Sequence, residues 1–309
     1  VALCLLWCSV PVWGCGTAAP VLEAVGEGAS DAWWVRSARG DADLVNRGRV
    51  SNLLVVRDGV RVWLVGSGPS RAFARALSCV VQRDLGRPVS DVISPWPRPE
   101  LVLGAAALSG ARHWAHADVA RALRTQCARC IARLRQRLGA AAQDLGAAAG
   151  IVRAPTHLLR GDQGALGPFD WWRIERAPGV PLTLWRVRAA GVVTAHGLVW
   201  ADDVPDLRDS TIASMQAATQ RAQAITAGAR WVLGEQGSPA AQQEVSQHLA
   251  YWAALEAAVQ SHQAQALEET LVPRTLRNVD AWRLQGNAHA LNWQRAWRQA
   301  EDAALRPAR

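Results

Sequence analysis

Metal-ligating and nucleophilic side chains are few in this chain of 309 residues, and their spacing narrows the chemistry open to it. His113-Trp114-Ala115-His116 and Cys127-Ala128-Arg129-Cys130 offer two imidazoles and two thiols, the donor types of a zinc knot. The His pair precedes a helix and the Cys pair lies well inside it, so the four do not converge without a fold-back that the pattern lacks. Cys127 and Cys130 can instead close a strained disulfide across one helical turn, or remain thiols in an apolar stripe. A mid-helix Cys130 does not suit thioredoxin-like exchange, which uses a strand-to-helix junction. His196 stands in a strand before Gly197 and reads as a structural histidine. There is no Gly-x-Ser-x-Gly elbow for a serine hydrolase, and Gly66-Ser67-Gly68-Pro69 is too short to cradle a phosphate. The 16 Trp residues, including Trp33-Trp34 and Trp171-Trp172, are spread over the whole chain and suit core and interface better than a sugar-stacking surface.

The elements that must position these side chains alternate between strand and helix. Residues 50–56 read as a strand, Asp58-Gly59 as a hairpin turn, and 61–65 as the returning strand. A helix is expected over about 71–85, broken by Gly86-Arg87-Pro88, and a short buried strand over 89–94. The proline-rich turn Pro95-Trp96-Pro97-Arg98-Pro99 follows that strand, where α/β sheets carry their sites. Val119, Leu123, Cys127, Ile131, Leu134 and Leu138 recur three or four apart and predict one long helix over 117–138. Gly- and Ala-rich sequence over 139–150 reads as a loop or a frayed helix end. Strand patterns return over 171–175, 182–187 and 197–201, then a helix over 210–224 and a strand over 230–233. Ser238-Pro239 is expected to start the next helix, with Ser as N-cap and Pro in the first turn.

Composition is globular: half the residues are hydrophobic and 19% are charged. All 34 basic residues are Arg, against 26 acidic ones, a net charge of +8. Arg without Lys, beside abundant Ala, Gly and Val, is what GC-rich coding produces, so the Arg count is not read as a nucleic-acid signal. Residues 1–12 are almost wholly apolar and 13–20 turn to small residues, which predicts an export signal over 1–19 ahead of a single domain over 20–309. Gly14-Cys15 is a loose lipobox, and Gly16-Thr17-Ala18 an ordinary cleavage site; both routes stay open. A periplasmic protein is expected, soluble or held at the membrane only through a lipid on Cys15.

The ordered segments resemble the metallo-β-lactamase-fold hydrolases over nearly the whole body. Ser51-Asn52-Leu53-Leu54-Val55 resembles the early strand, and residues 62–70 the strand and turn that usually end in Asp-Thr-Gly. Residues 92–104 stand where the family has His-x-His-x-Asp-His. Residues 197–203 resemble the strand ending in the metal-bridging Asp, and Trp231-Val232-Leu233-Gly234-Glu235-Gln236-Gly237 the late Gly-His-Gly turn. Asn287-Ala288-His289-Ala290-Leu291 resembles the C-terminal helix of exported members, some of which accompany periplasmic quinoprotein dehydrogenases. The resemblance implies an α+β, four-layer αββα sandwich with two stacked mixed sheets flanked by helices.

The resemblance also implies a dinuclear zinc site, and this chain departs from it. The loop's ligand positions fall at Trp96, Arg98, Glu100 and Leu101, the third His at Pro178, the bridging carboxylate at Asp203 and the last His at Gln236. Indole and guanidinium do not coordinate zinc. Two expectations follow: that Arg98 supplies the positive charge between Glu100 and Asp203, and that Trp96 and Leu101 fill the remaining ligand space. The implied protein uses no cofactor and binds an unidentified ligand or a periplasmic protein rather than nucleic acid. The alternative is a hydrolase of the same superfamily with a displaced or mononuclear zinc.

Overall fold

A computed structural model describes residues 15–16, 19–29, 31–147 and 150–305. The expected leader over 1–12 lies outside these residues. Among them, a first sheet runs in the order β1 (Glu23–Ala24), β2 (Ala32–Val35), β3 (Leu53–Asp58), β4 (Arg61–Val65), β5 (Asp91–Ile93), β6 (Arg112–His116) and β7 (His157–Leu159). It is antiparallel as far as β4 and parallel beyond it. The second sheet runs β12 (Trp231–Gln236), β11 (Val192–Trp200), β10 (Val180–Val187), β9 (Phe169–Ala177) and β8 (Gln163–Leu166). Only its β11–β12 pair is parallel.

Strand alternation divides the core into layers. Leu54, Val56, Trp63, Val65 and Ile93 of the first sheet meet Phe169, Trp171, Trp185, Val187 and Leu233 of the second in one buried cluster between the sheets. The intervening residues, Leu53, Val55, Val62 and Leu64, face outward onto the helices α1 (Arg71–Leu85) and α3 (Ala117–Leu138). Leu182, Leu184, Val193 and Val232 likewise join α4 (Ile212–Thr226) and α5 (Gln243–Ala264). The expected four-layer sandwich is therefore present: each sheet buries one face on its fellow and one under helices.

Local signals explain the helix ends. Ser70 Oγ accepts from the Phe73 N–H at 3.2 Å, and Gly86 closes α1 in the left-handed conformation. Thr211 and Ser214 form a reciprocal capping box on α4. The His pair precedes a helix as expected, and two further element readings are sharpened or corrected. His113 and His116 lie in strand β6, and His116 ends it as the N-cap of α3, its Nδ1 accepting from the Asp118 N–H at 3.2 Å. Residues Gly139–Leu145 form a 3-10 helix rather than open loop. Ser238-Pro239 does not start α5, because Ala240 forms a bridge back to Val232 and delays the helix to Gln243.

The cysteines are also corrected. Cys127 and Cys130 are free thiols; the bond is instead between Cys15 and Cys79 of α1, 64 residues apart in sequence. Cys127 sits in the buried face of α3 among Leu123, Ile131 and Leu134, and Cys130 lies beside that face, half-buried. A thiol tied to Cys79 is not free for a lipid, and cleavage within Gly16-Thr17-Ala18 would remove it, so the disulfide excludes both processing routes and requires a mature chain that keeps Cys15.

Candidate functional site

The loop from Ser94 to Glu100 leaves the carboxyl end of β5, the usual location of sites in such sheets. Prolines at 95, 97 and 99 hold it extended, and Pro99 starts the short helix α2 (Pro99–Val102) with Arg98 as its N-cap residue. The loop is locked to the second sheet: Pro95 O accepts from Thr183 N–H at 2.8 Å and from Thr183 Oγ1 at 3.1 Å. Two glycines let the parts approach. A Cβ on Gly197, whose φ is +76°, would stand 3.1 Å from the Trp96 ring. A Cβ on Gly104 would overlap the Ser67 carbonyl.

Three of the expected residues come together here. The Arg98 side chain is 11% exposed; its Nε lies 3.4 Å from Glu100 Oε2 and 3.8 Å from Oε1 of Glu235. Burial opposes the charge on Arg98, but Glu100, Glu235, Asp206 and Asp41 outweigh it and raise its pKa. Trp96 is flanked by two guanidinium groups, with Arg98 Cζ 5.3 Å and Arg176 Cζ 5.5 Å from the ring centroid. Such cation–π contacts gain strength out of water.

Glu235, fully buried, accepts from Gly197 N–H at 3.2 Å and from the Ser51 hydroxyl. Its neighbour His196 is buried too and donates from Nε2 to the Asn52 carbonyl, 2.7 Å away. An acceptor-only carbonyl makes that Nε2 the protonated nitrogen. Burial lowers the His196 pKa despite the nearby Glu235, so it stays neutral. The structural role expected for His196 holds. Arg176, 2% exposed, donates from Nε to Gly197 O at 2.8 Å, from Nη1 to Arg208 O at 2.5 Å and from Nη2 to Asp206 O. Burial, offset by Asp206 and reinforced by Arg98, brings its pKa down to about 10. Asp206 is held below the usual carboxylate range, burial being outweighed by Arg208, Arg98 and Arg176.

The other expected site residues lie elsewhere. Leu101 is in the core against Leu53, and its carbonyl accepts from Ser67 and Gly68 N–H. Pro178 is exposed at the β9–β10 turn; Arg176, two residues earlier, is the buried side chain of that strand end. Asp203 does not meet Arg98: its carboxylate accepts from Val204 N–H at 2.7 Å, and burial raises its pKa against Arg39 and Arg283. Asp206, three residues on, raises the Arg98 pKa through its charge but makes no ion pair with it; its Oδ1 accepts from Arg295 Nη1 at 2.7 Å and from Arg208 N–H at 2.9 Å. Gln236 pins the N-terminal segment, donating to Gly40 O at 2.8 Å and Val50 O at 3.0 Å and accepting from Gly40 N–H. Along β12, period-two alternation gives Glu235 the side of Leu233, between the sheets, and Gln236 the opposite side. That alternation and the presence of a lone Arg in the apolar end of β9 were the available sequence signals for Glu235 and Arg176.

A zinc centre needs imidazole, thiolate or carboxylate donors converging near 2 Å. Trp96, Arg98 and Arg176 supply none, and Glu100 and Glu235 already face a guanidinium. Among the described residues no three His, Cys, Asp or Glu side chains form a metal-holding group. The residues present do not fit zinc; they fit a closed cluster of arginines and carboxylates.

By sequence, no family model and no curated protein matches the chain. Solved structures do match it in three dimensions. A metallo-β-lactamase from Erythrobacter litoralis, with β-mercaptoethanol in its active site, superposes with a TM-score of 0.59 at 16% identity over 76% of this chain and 97% of that one. One from Pseudomonas aeruginosa, in its mono-zinc form, gives 0.57 at 18% identity over 76% and 95%. One from Pontibacter korlensis gives 0.57 at 14% identity over 76% and 99%. At such identities the likeness is one of fold, and the two stacked mixed sheets between helices have the metallo-β-lactamase fold.

Proposed function

We propose that this is an exported, non-catalytic binding or accessory protein in which an arginine–carboxylate cluster replaces the metal centre of the metallo-β-lactamase fold. The observation that carries the reading is Arg98, buried between Glu100 and Glu235 on the loop where the family resemblance would put zinc ligands. Its charge stands where a cation would otherwise balance the carboxylates, and a guanidinium cannot bind zinc or activate a zinc-bound water. Trp96, Arg98, Glu100, Arg176 and Glu235 are all buried against one another, so the cluster is a structural element, and recognition falls to another surface. Export is supported by the apolar leader and by the Cys15–Cys79 bond, which persists in an oxidising compartment such as the periplasm. The partner is then a ligand or protein of that compartment.

The test is metal analysis of the full chain after incubation with zinc and removal of the excess, together with hydrolysis of a chromogenic β-lactam. Substoichiometric zinc and no turnover are expected. Stoichiometric zinc with turnover that chelation abolishes would instead establish the alternative, a hydrolase with a displaced metal.

A further inference from the structure

A second concave feature lies away from the arginine cluster, between α3 and the segment 150–155. It is a groove of about 490 Å³, within the size range of small-molecule sites. Its floor is the row Leu123, Cys127 and Ile131, four residues apart on one helix face, and its far wall is Ile151 and Pro155. The three floor side chains are almost wholly buried and border the groove by their outer edges, among the described residues. Cys127 belongs to this apolar floor as a neutral thiol: burial, with Cys130 and Glu100 adding, pushes its pKa up to about 12.

The charge at the rim is of one sign. Arg124 and Arg135 are the charged side chains lining the groove, and no carboxylate lines it. Arg135 donates to Gly146 O at 3.2 Å. Arg124 is exposed and has neither a hydrogen bond nor an ion pair among the described residues. Most other arginines of α3 are committed or face away: Arg121 pairs with Asp118 and Arg137 with Asp41. Eleven residues separate Arg124 from Arg135, a rise of about 16 Å, which an extended alkyl chain of on the order of a dozen carbons would span.

We propose that this groove binds a single-chain anionic amphiphile, a long-chain carboxylate, with its alkyl chain along Leu123, Cys127 and Ile131 and its head at Arg124. An apolar trough excludes a purely polar anion, and an all-cationic rim favours a carboxylate head over a neutral one. The trough is one helix row wide and takes one chain. This site is independent of the metal-free reading of the arginine cluster, since none of its lining residues belongs to that cluster.

The test titrates the full chain with octanoate, dodecanoate and dodecanol by calorimetry, below their aggregation concentrations. Dodecanoate is expected to bind one to one and at least tenfold more tightly than octanoate, each buried methylene adding up to about fourfold. Dodecanol should bind about fivefold more weakly than dodecanoate, the contribution of one exposed charge pair. Arg124→Glu should erase that preference and Arg124→Lys keep it. Ala128→Trp, at an exposed lining position, should block the trough and abolish binding. A second measurement uses Ala128→Cys in protein also carrying Cys127→Ser and Cys130→Ser, which puts an exposed thiol on the lining: dodecanoate should slow its maleimide labelling without changing the far-ultraviolet spectrum. Absence of dodecanoate binding, binding untouched by Ala128→Trp in folded protein, or unchanged labelling at position 128 would each overturn the proposal. A change of sedimenting mass on Ala128→Trp without any dodecanoate effect would also overturn it and make the groove a contact between copies.

Discussion

Arg98→Ala removes the positive charge between two buried carboxylates and tests the cluster directly. Breaking a buried ion pair by deleting one partner costs about 3–5 kcal/mol where geometry is ideal. Here the contacts of 3.4 and 3.8 Å are longer than a charge-assisted hydrogen bond, which places the expectation at the lower end. Glu235 keeps two donors, Ser51 Oγ and Gly197 N–H, so its share of the loss is small. Glu100, 9% exposed, has Arg98 as its ion-pair partner and carries most of it. The Trp96 face loses one of its two cations as well, on the order of 1 kcal/mol. Together these give a destabilisation of about 2–4 kcal/mol, against less than about 1 kcal/mol for a solvated surface pair. Urea unfolding at pH 7 measures it, provided the dependence on denaturant is unchanged between variants. Arg98→Met, which keeps the stem but not the charge, should lose nearly as much. In a double-mutant cycle with Glu100→Ala the coupling should reach about 1–3 kcal/mol. A loss below about 1 kcal/mol for Arg98→Ala, or additive single variants, would refute the idea that Arg98 balances the buried carboxylates.

Acidification should destabilise the fold well above the range of carboxylate titration. Burial lowers the folded pKa of His113 from 6.5 to about 4 and that of His248 to about 3, so below pH 6.5 the unfolded chain binds more protons than the folded one. Stability present above pH 6.5 is then lost as pH falls, by about 3 kcal/mol for His113 at pH 4, and unfolding midpoints flat between pH 6.5 and 4 would contradict this. Gly104→Ala should cost at least about 3 kcal/mol or prevent folding, because the new Cβ meets the Ser67 carbonyl rather than a flexible side chain; a melting temperature within a few degrees of the parent would count against that packing. Cys79→Ser should lower stability by up to about 4 kcal/mol, the loop-closure value for a 64-residue separation, and intact-mass analysis of the parent protein should find Cys15 present, oxidised and free of lipid. Restoring Trp96→His and Arg98→His together should not yield stoichiometric zinc, since Leu101 is core, Pro178 is at the surface and Gln236 pins Gly40 and Val50.

The layers of this fold were legible in the chain itself because they follow from local period. The run of Val119, Leu123, Cys127, Ile131, Leu134 and Leu138 marks α3 to within the residue, and Asp58-Gly59 between β-branched runs marks the β3–β4 hairpin. That positions 96 and 98 cannot coordinate zinc was legible too, since indole and guanidinium exclude it whatever their geometry. Which residues complete the cluster was not. Its members come from the loop after β5, α2, β9 and β12, far apart in sequence. A one-residue step along a strand exchanges Glu235 for Gln236, and no local signal sets that step. The same limit explains the cysteines: Cys127–Cys130 is the short-range pairing that spacing suggests, while Cys15–Cys79 depends on where the N-terminal segment crosses α1. Local pattern determined the elements; tertiary packing alone decided the partners, because burial and charge compensation act between segments that only the folded chain brings within a few ångströms.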